Sequence, residues 1–182
     1  MKRISRITIP ILLLAFAYAA DARMITREEA LKLAFPDAEI QSSIIFLTDA
    51  EMREAAKTSA TNISSPLIAR YVPMKSGKEV GRAYLDTHTV RTKKESLLVI
   101  LTEDGKVKRV EVVAFLEPPE YQPNERWYQQ FEGKQLDADL QLNHAIHPVT
   151  GASLTARATT DAVRRILAID SLLLQRKAGA HP

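Results

Sequence analysis

The sequence predicts an α+β fold: an antiparallel-rich sheet with N-terminal helices before it and a long C-terminal helix packed on it. Three observations carry that expectation. Strand-like runs flank two short turn sequences, Lys75-Ser76-Gly77-Lys78 and Glu103-Asp104-Gly105-Lys106, and Asp-Gly supplies the positive φ values that a tight hairpin needs. The run Leu97-Leu98-Val99-Ile100-Leu101 is continuously apolar, as in a strand at the centre of a sheet with both faces covered. Over residues 155–177, Ala162, Val163, Ile166, Leu167, Ile169, Leu172 and Leu173 recur at helical spacing.

The elements follow in order. Residues 1–22 read as a secretory signal peptide. Lys2, Arg3 and Arg6 precede an apolar run, and small residues at A-x-A spacing favour cleavage after Ala22. The run is shorter than the roughly 20 apolar residues that a spanning helix needs, which argues against a retained anchor. Residues 23–182 then form one domain. Thr26 and Glu29 have the spacing of a capping box, opening a helix that stops near Pro36. Residues 38–47 read as a strand, and Thr48 or Asp49 caps a second helix toward Ser59. Residues 67–74 and 80–89 form one strand pair, and residues 96–102 and 107–116 a second, central pair. Pro118, Pro119 and Pro123 exclude regular structure after the sheet, because they lack donors and fix φ. A short aromatic helix over 125–131 ends at Gly133, and residues 136–147 form a polar extended segment before the final helix.

Composition narrows the chemistry. The chain has 182 residues, 25 Lys and Arg against 22 Asp and Glu, and no Cys. Disulfides, thiolate zinc sites, iron–sulfur clusters and a Cys nucleophile are excluded. Cleavage after Ala22 removes three of the cations and one of the anions, leaving a net charge of +1 on 160 residues. Such a chain has no field to gather nucleic acid. The signal places it in the periplasm or otherwise outside the cytoplasm. Four His remain, and His144 and His147 lack a firm third ligand nearby, so no metal site is expected.

One segment stands apart: His147-Pro148-Val149-Thr150-Gly151-Ala152-Ser153-Leu154-Thr155-Ala156-Arg157-Ala158. Hydroxyl residues flank Gly-Ala just before a long helix, whose N-terminus offers unpaired N–H groups and partial positive charge to a phosphate. Gly151 lets the backbone turn and approach a ligand. The plainer reading is a turn with a Ser/Thr N-cap, worth about 1 kcal/mol.

This segment resembles the flavinylation motif of FMN-binding domains, Asp-x-x-(Ser/Thr)-Gly-Ala-(Ser/Thr)-x-(Ser/Thr). The motif occurs in the FMN-carrying subunits of Rnf-type and sodium-pumping NADH:quinone oxidoreductases and in smaller secreted relatives. The resemblance extends over about residues 85–169, through a hairpin-rich sheet, an acidic Pro-containing loop, the motif and a closing helix. His147 stands where the pattern has Asp, Ser153 where Thr is commoner, and the loop lacks the usual glycines.

The resemblance implies covalent FMN, joined by a phosphoester to Ser153, with Thr155 as the alternative site and Thr150, Gly151 and Ala152 shaping the turn. It places Glu117, at the head of Glu117-Pro118-Pro119, near the flavin ring. It implies a flavin transferase that uses FAD and Mg²⁺, and a periplasmic or membrane redox partner such as a cytochrome. The protein then reads as an electron-transport flavoprotein rather than a stand-alone enzyme, since the flavin performs the redox chemistry and the chain holds and tunes it. The alternatives are a secreted binding or sensing module of the same fold without covalent flavin, and a reductase acting on a small acceptor. Tyr121, Trp127 and Tyr128 could stack on the ring or belong to the core. Lys93-Lys94-Glu95 reads as a charged strand edge, with redox-partner docking as the other possibility.

Overall fold

The structure is a computed structural model that describes residues 24–179; the expected signal segment over 1–22 and His181 lie outside them. Helix α1 (Arg27–Ala34) opens on a capping box, with Thr26 and Glu29 satisfying each other's backbone N–H. Strand β1 (Glu39–Phe46) follows, then α2 (Asp49–Ser59), capped in the same way by Thr48 and Glu51. Strands β2 (Leu67–Lys75), β3 (Lys78–Glu79), β4 (Arg82–Thr89), β5 (Lys94–Leu101) and β6 (Val107–Phe115) complete the sheet. The order is β1-β2-β4-β5-β6, with β3 paired to the end of β2, and every pairing is antiparallel. A short α3 (Glu125–Tyr128) and the 27-residue α4 (Ser153–Gly179) end the fold. The α+β architecture is the one expected from the sequence.

Helix α4 covers one face of the sheet and α1 the other. Leu97 and Val99 of β5 meet Ala162, Val163, Ile166 and Ile169 of α4. Leu98 and Ile100, on the opposite pleat, meet Ala30, Leu31, Ala34 and Phe35 around α1. This explains the uninterrupted apolar run: successive side chains enter two different cores. Each large side chain so buried contributes about 1.5–3 kcal/mol.

Four expectations need correction. The strand expected over 80–89 begins only at Arg82, with the short β3 before it, because the Gly81 backbone lies against Phe35 and the Leu101 carbonyl. A Cβ there would stand 2.6 Å from both. The second strand of the central pair, β6, is an edge strand; only β5 is flanked on both sides. One face of β6 is apolar because α3 and the turn over 129–131 pack on it with Trp127, Tyr128 and Phe131, while Lys108 reaches across the strand's other side to the Ala34 carbonyl at 2.5 Å. Residues 136–147 are not extended. Asp137 Oδ1 accepts the N–H groups of Asp139 and Leu140, folding the chain into turns that bury Leu140 and Ile146. Finally, α4 begins at Ser153, two residues before the expected start.

Candidate functional site

The motif forms the entry to α4. Thr150 and Gly151 make the turn, and Gly151 has a φ of +85°, in the left-handed region that glycine adopts without strain. Ala152 is buried and holds the N-cap position, where its carbonyl accepts the Ala156 N–H at 2.9 Å. Alanine has no side-chain oxygen with which to cap. Helices α1, α2 and α3 each have such an oxygen, from Thr26, Thr48 and Asn124. At α4 the N–H groups of Ser153, Leu154 and Thr155 have no acceptor among the described residues. The positive end of the longest helix is therefore open to an anion.

The two candidate hydroxyls have opposite settings. Ser153 is exposed at the first helical position. Thr155 is only 1% exposed, and its hydroxyl donates to the Tyr121 carbonyl at 2.6 Å. That bond ties the Pro-rich loop to the first turn of α4. The ring of Tyr121 is half-buried, with the Arg91 guanidinium 4.6 Å from its centre.

Glu117 is buried and engaged in holding the β4–β5 turn. Its Oε1 accepts N–H groups from Lys93, Thr92 and Arg91 at 2.7, 2.6 and 3.1 Å. Those donors, Lys93 foremost, hold the carboxyl below its ordinary range. Glu117, Arg91, Tyr121 and Thr155 thus form a chain of contacts from the turn to the helix entry. Ser153 stands two residues from the end of that chain. The structure joins Tyr121 to the motif and places Glu117 one step farther away, under the turn.

Trp127 and Tyr128 are core residues. They make edge-on contact with each other at 5.2 Å, and Trp127 meets Phe131 at 5.4 Å. Trp127 also donates through Nε1 to the His147 carbonyl at 2.8 Å, while the His147 N–H donates to Gln130 Oε1 at 2.8 Å. The backbone before the motif is thereby clamped, whereas the His147 side chain is exposed and makes no hydrogen bond or ion pair among the described residues. His144 lies 3.9 Å from Asp139, and no group of three metal-ligating side chains forms among the described residues.

Beneath α4 lies a polar cluster that sequence reasoning missed. His88 bonds Asp86 at 2.9 Å and Glu95 at 3.1 Å, and Arg165 of α4 holds Asp86 through two nitrogens. Glu95 is fully buried rather than at an exposed strand edge. Burial opposes a charged imidazole here, but the bonds to Asp86 and Glu95 outweigh it and raise His88 to about 9. The signal was present in Asp86-Thr87-His88: alternate strand residues share a face, and Glu95 is the cross-strand partner of His88.

Residues 93–168 match the family model of the FMN-binding domain. That stretch is similar to the FMN-binding domain family. The match begins at the turn held by Glu117 and runs through β5, β6, the Pro-rich loop and the motif into α4. No curated protein and no solved structure matches the chain. The domain is a flavin-binding module with FMN as its cofactor, and its residues fit that group. An exposed hydroxyl stands beside unpaired N–H donors at a helix end, and nothing lies within 4 Å of the space beside Gly151.

Proposed function

We propose that this FMN-binding domain is an exported electron carrier whose FMN is attached through a phosphoester to Ser153. The observation that carries the reading is the contrast within one helical turn. Ser153 presents a free hydroxyl at the uncapped end of α4, while the Thr155 hydroxyl is buried and bonded to the Tyr121 carbonyl. Attachment forms an Oγ–phosphorus bond, breaks the pyrophosphate of FAD and releases AMP and the hydroxyl proton. A flavin transferase with Mg²⁺ would supply that step. The remaining phosphate charge would face the N–H groups of residues 153–155. Bound FMN supplies the redox chemistry; the chain orients it and sets its surroundings. The signal-like residues 1–22 support a periplasmic location and a periplasmic or membrane partner such as a cytochrome.

Export with a flavin transferase is expected to give a yellow protein whose colour survives denaturation and whose mass rises by FMN less one water. An unmodified mass with an active transferase would sink the covalent reading. It would favour a binding or sensing module of the same fold. That second reading draws on His147, which replaces the motif's Asp and has an exposed side chain. His147→Asp should preserve or speed flavinylation; a marked loss would show that the imidazole itself matters to the transferase.

A further inference from the structure

The two edges of the sheet are built differently. Strand β6 is interrupted by register shifts at Ser96/Leu97 and Ile100/Leu101, carries Lys108, Arg109 and Glu111, and is bonded at Val107 to Gly133 and Lys134. Bulges and charges of this kind keep edges from pairing with other chains. Strand β1 has no register shift, and its one charge is Glu39 at its first residue. Its eight residues pair with β2 in unbroken register, and after Glu39 the sequence Ile40-Gln41-Ser42-Ser43-Ile44-Ile45-Phe46 has no charge and no proline.

The open side of β1 can be read from its bonding. The Leu47 N–H bonds the Pro66 carbonyl at 2.8 Å, beside the Phe46–Leu67 pair. Bonded and non-bonded pairs alternate, so Ile40, Ser42, Ile44 and Phe46 direct their N–H and C=O groups away from β2. None of these backbone groups has another partner among the described residues. The side chains of the same residues share the α1 face. There Ile44 is 67% exposed, Phe46 63% and the neighbouring Leu67 58%.

We propose that β1 is a self-association edge, whose partner is β1 of a second copy of this chain. An antiparallel edge is self-complementary about a two-fold axis. Centring the axis on Ser43 places Ile40 opposite the second copy's Phe46 and Ser42 opposite its Ile44. All four outward residues then meet outward residues. Glu39 falls opposite Leu47 of the other copy, so no like charges are opposed. The exposed Ile44, Phe46 and Leu67 of both copies merge on one face of a continuous sheet.

The strand spans about 27 Å at roughly 3.4 Å per residue. With three exposed apolar side chains per copy, the contact belongs at the small end of specific interfaces, near 1,200 Å². The dimer is therefore dependent on concentration.

Sedimentation of the exported protein over a hundredfold concentration range is expected to show the mass rising from one copy toward two. Ile44→Lys or Phe46→Lys should hold it at one copy, while Leu33→Lys, which alters an exposed leucine on α1, should leave association unchanged. Hydrogen exchange supplies a test without substitution: the amides of Ile40, Ser42, Ile44 and Phe46 should gain protection as concentration rises. A single-copy mass throughout would overturn the proposal. So would association that survives Ile44→Lys, that is lost equally in Leu33→Lys, or that leaves those amides unprotected.

Discussion

The first turn of α4 and the stretch around Asp170 belong to one helix and one apolar stripe, yet they are held by opposite means. Asp170 is 2% exposed and accepts from Arg82 Nε at 2.5 Å, from Arg82 Nη2 at 2.9 Å and from the Tyr84 hydroxyl at 2.7 Å. Glu79 adds a second carboxylate to Arg82 at 2.9 Å. Here donors from β4 meet a buried acceptor on α4, and the helix is locked to the sheet. At Ser153 the helix end has no side-chain cap, and the nearest tertiary bond is that of Thr155 to the loop. The difference teaches that this helix is anchored at one place and left chemically open at another. A buried charge network serves stability only when complete, whereas an anion site needs donors that the fold has not already used.

The comparison can be broken most strongly at Asp170. Asp170→Ala takes from the buried Arg82 its bidentate partner, leaving only Glu79 and the Glu103 carbonyl, and is expected to cost about 3–5 kcal/mol, a large part of a typical domain's stability. Urea unfolding measures it; a loss below about 1 kcal/mol would show that water reaches Arg82 and that the anchor is not the one described.

The next effect is that of His88, at the other end of β4. Its folded value of about 9 lies above the ordinary value of 6.5. The folded state therefore holds the proton more tightly, and the stabilisation is complete below the unfolded value and fades as pH rises through about 9. The groups facing the ring are Asp86, Glu95, Arg165, Thr159 and Asp161. Between pH 7 and 10 the chain should lose on the order of 2–3 kcal/mol that His88→Gln does not lose. Parallel stability curves for the two proteins would assign the loss to other groups.

The smaller effects fall in the first turn and sharpen the contrast. Thr155→Val removes the bond to the Tyr121 carbonyl and should cost about 1–2 kcal/mol, with flavin still attached to Ser153. Ser153→Ala should change stability by no more than about 0.5 kcal/mol, yet abolish flavin attachment entirely. Peptide mapping decides between them: flavin found on Thr155 would mean that the turn opens before modification and that the buried bond does not protect that hydroxyl.

Much of this molecule was legible in the chain. The capping box at Thr26, a cap at Thr48 or Asp49, the Asp104-Gly105 hairpin and the stripe of α4 follow from residue spacing, because each is a relation between near neighbours. The motif at residues 150–155 was legible for the same reason. The extended reading of 136–147 failed because Asp137 offers its side chain to the backbone as an alternative to a strand. The reading of β6 as central failed because an apolar face records that something covers it, not how many strands flank it.

Residue spacing alone fixed most of the helices and strands, the Asp104-Gly105 turn and a hydroxyl-rich entry to the last helix. Tertiary structure decided that Ser153 faces solvent while Thr155 is consumed by a carbonyl 34 residues earlier in the chain. It also decided that Trp127 and Tyr128 belong to the core, that Glu95 is buried against His88, and that β1 rather than β6 is the unguarded edge. The physical reason is one of range. Dihedral preferences, caps and hairpins are set within a few residues, whereas burial and the pairing of polar groups depend on which distant segments the folded sheet brings together.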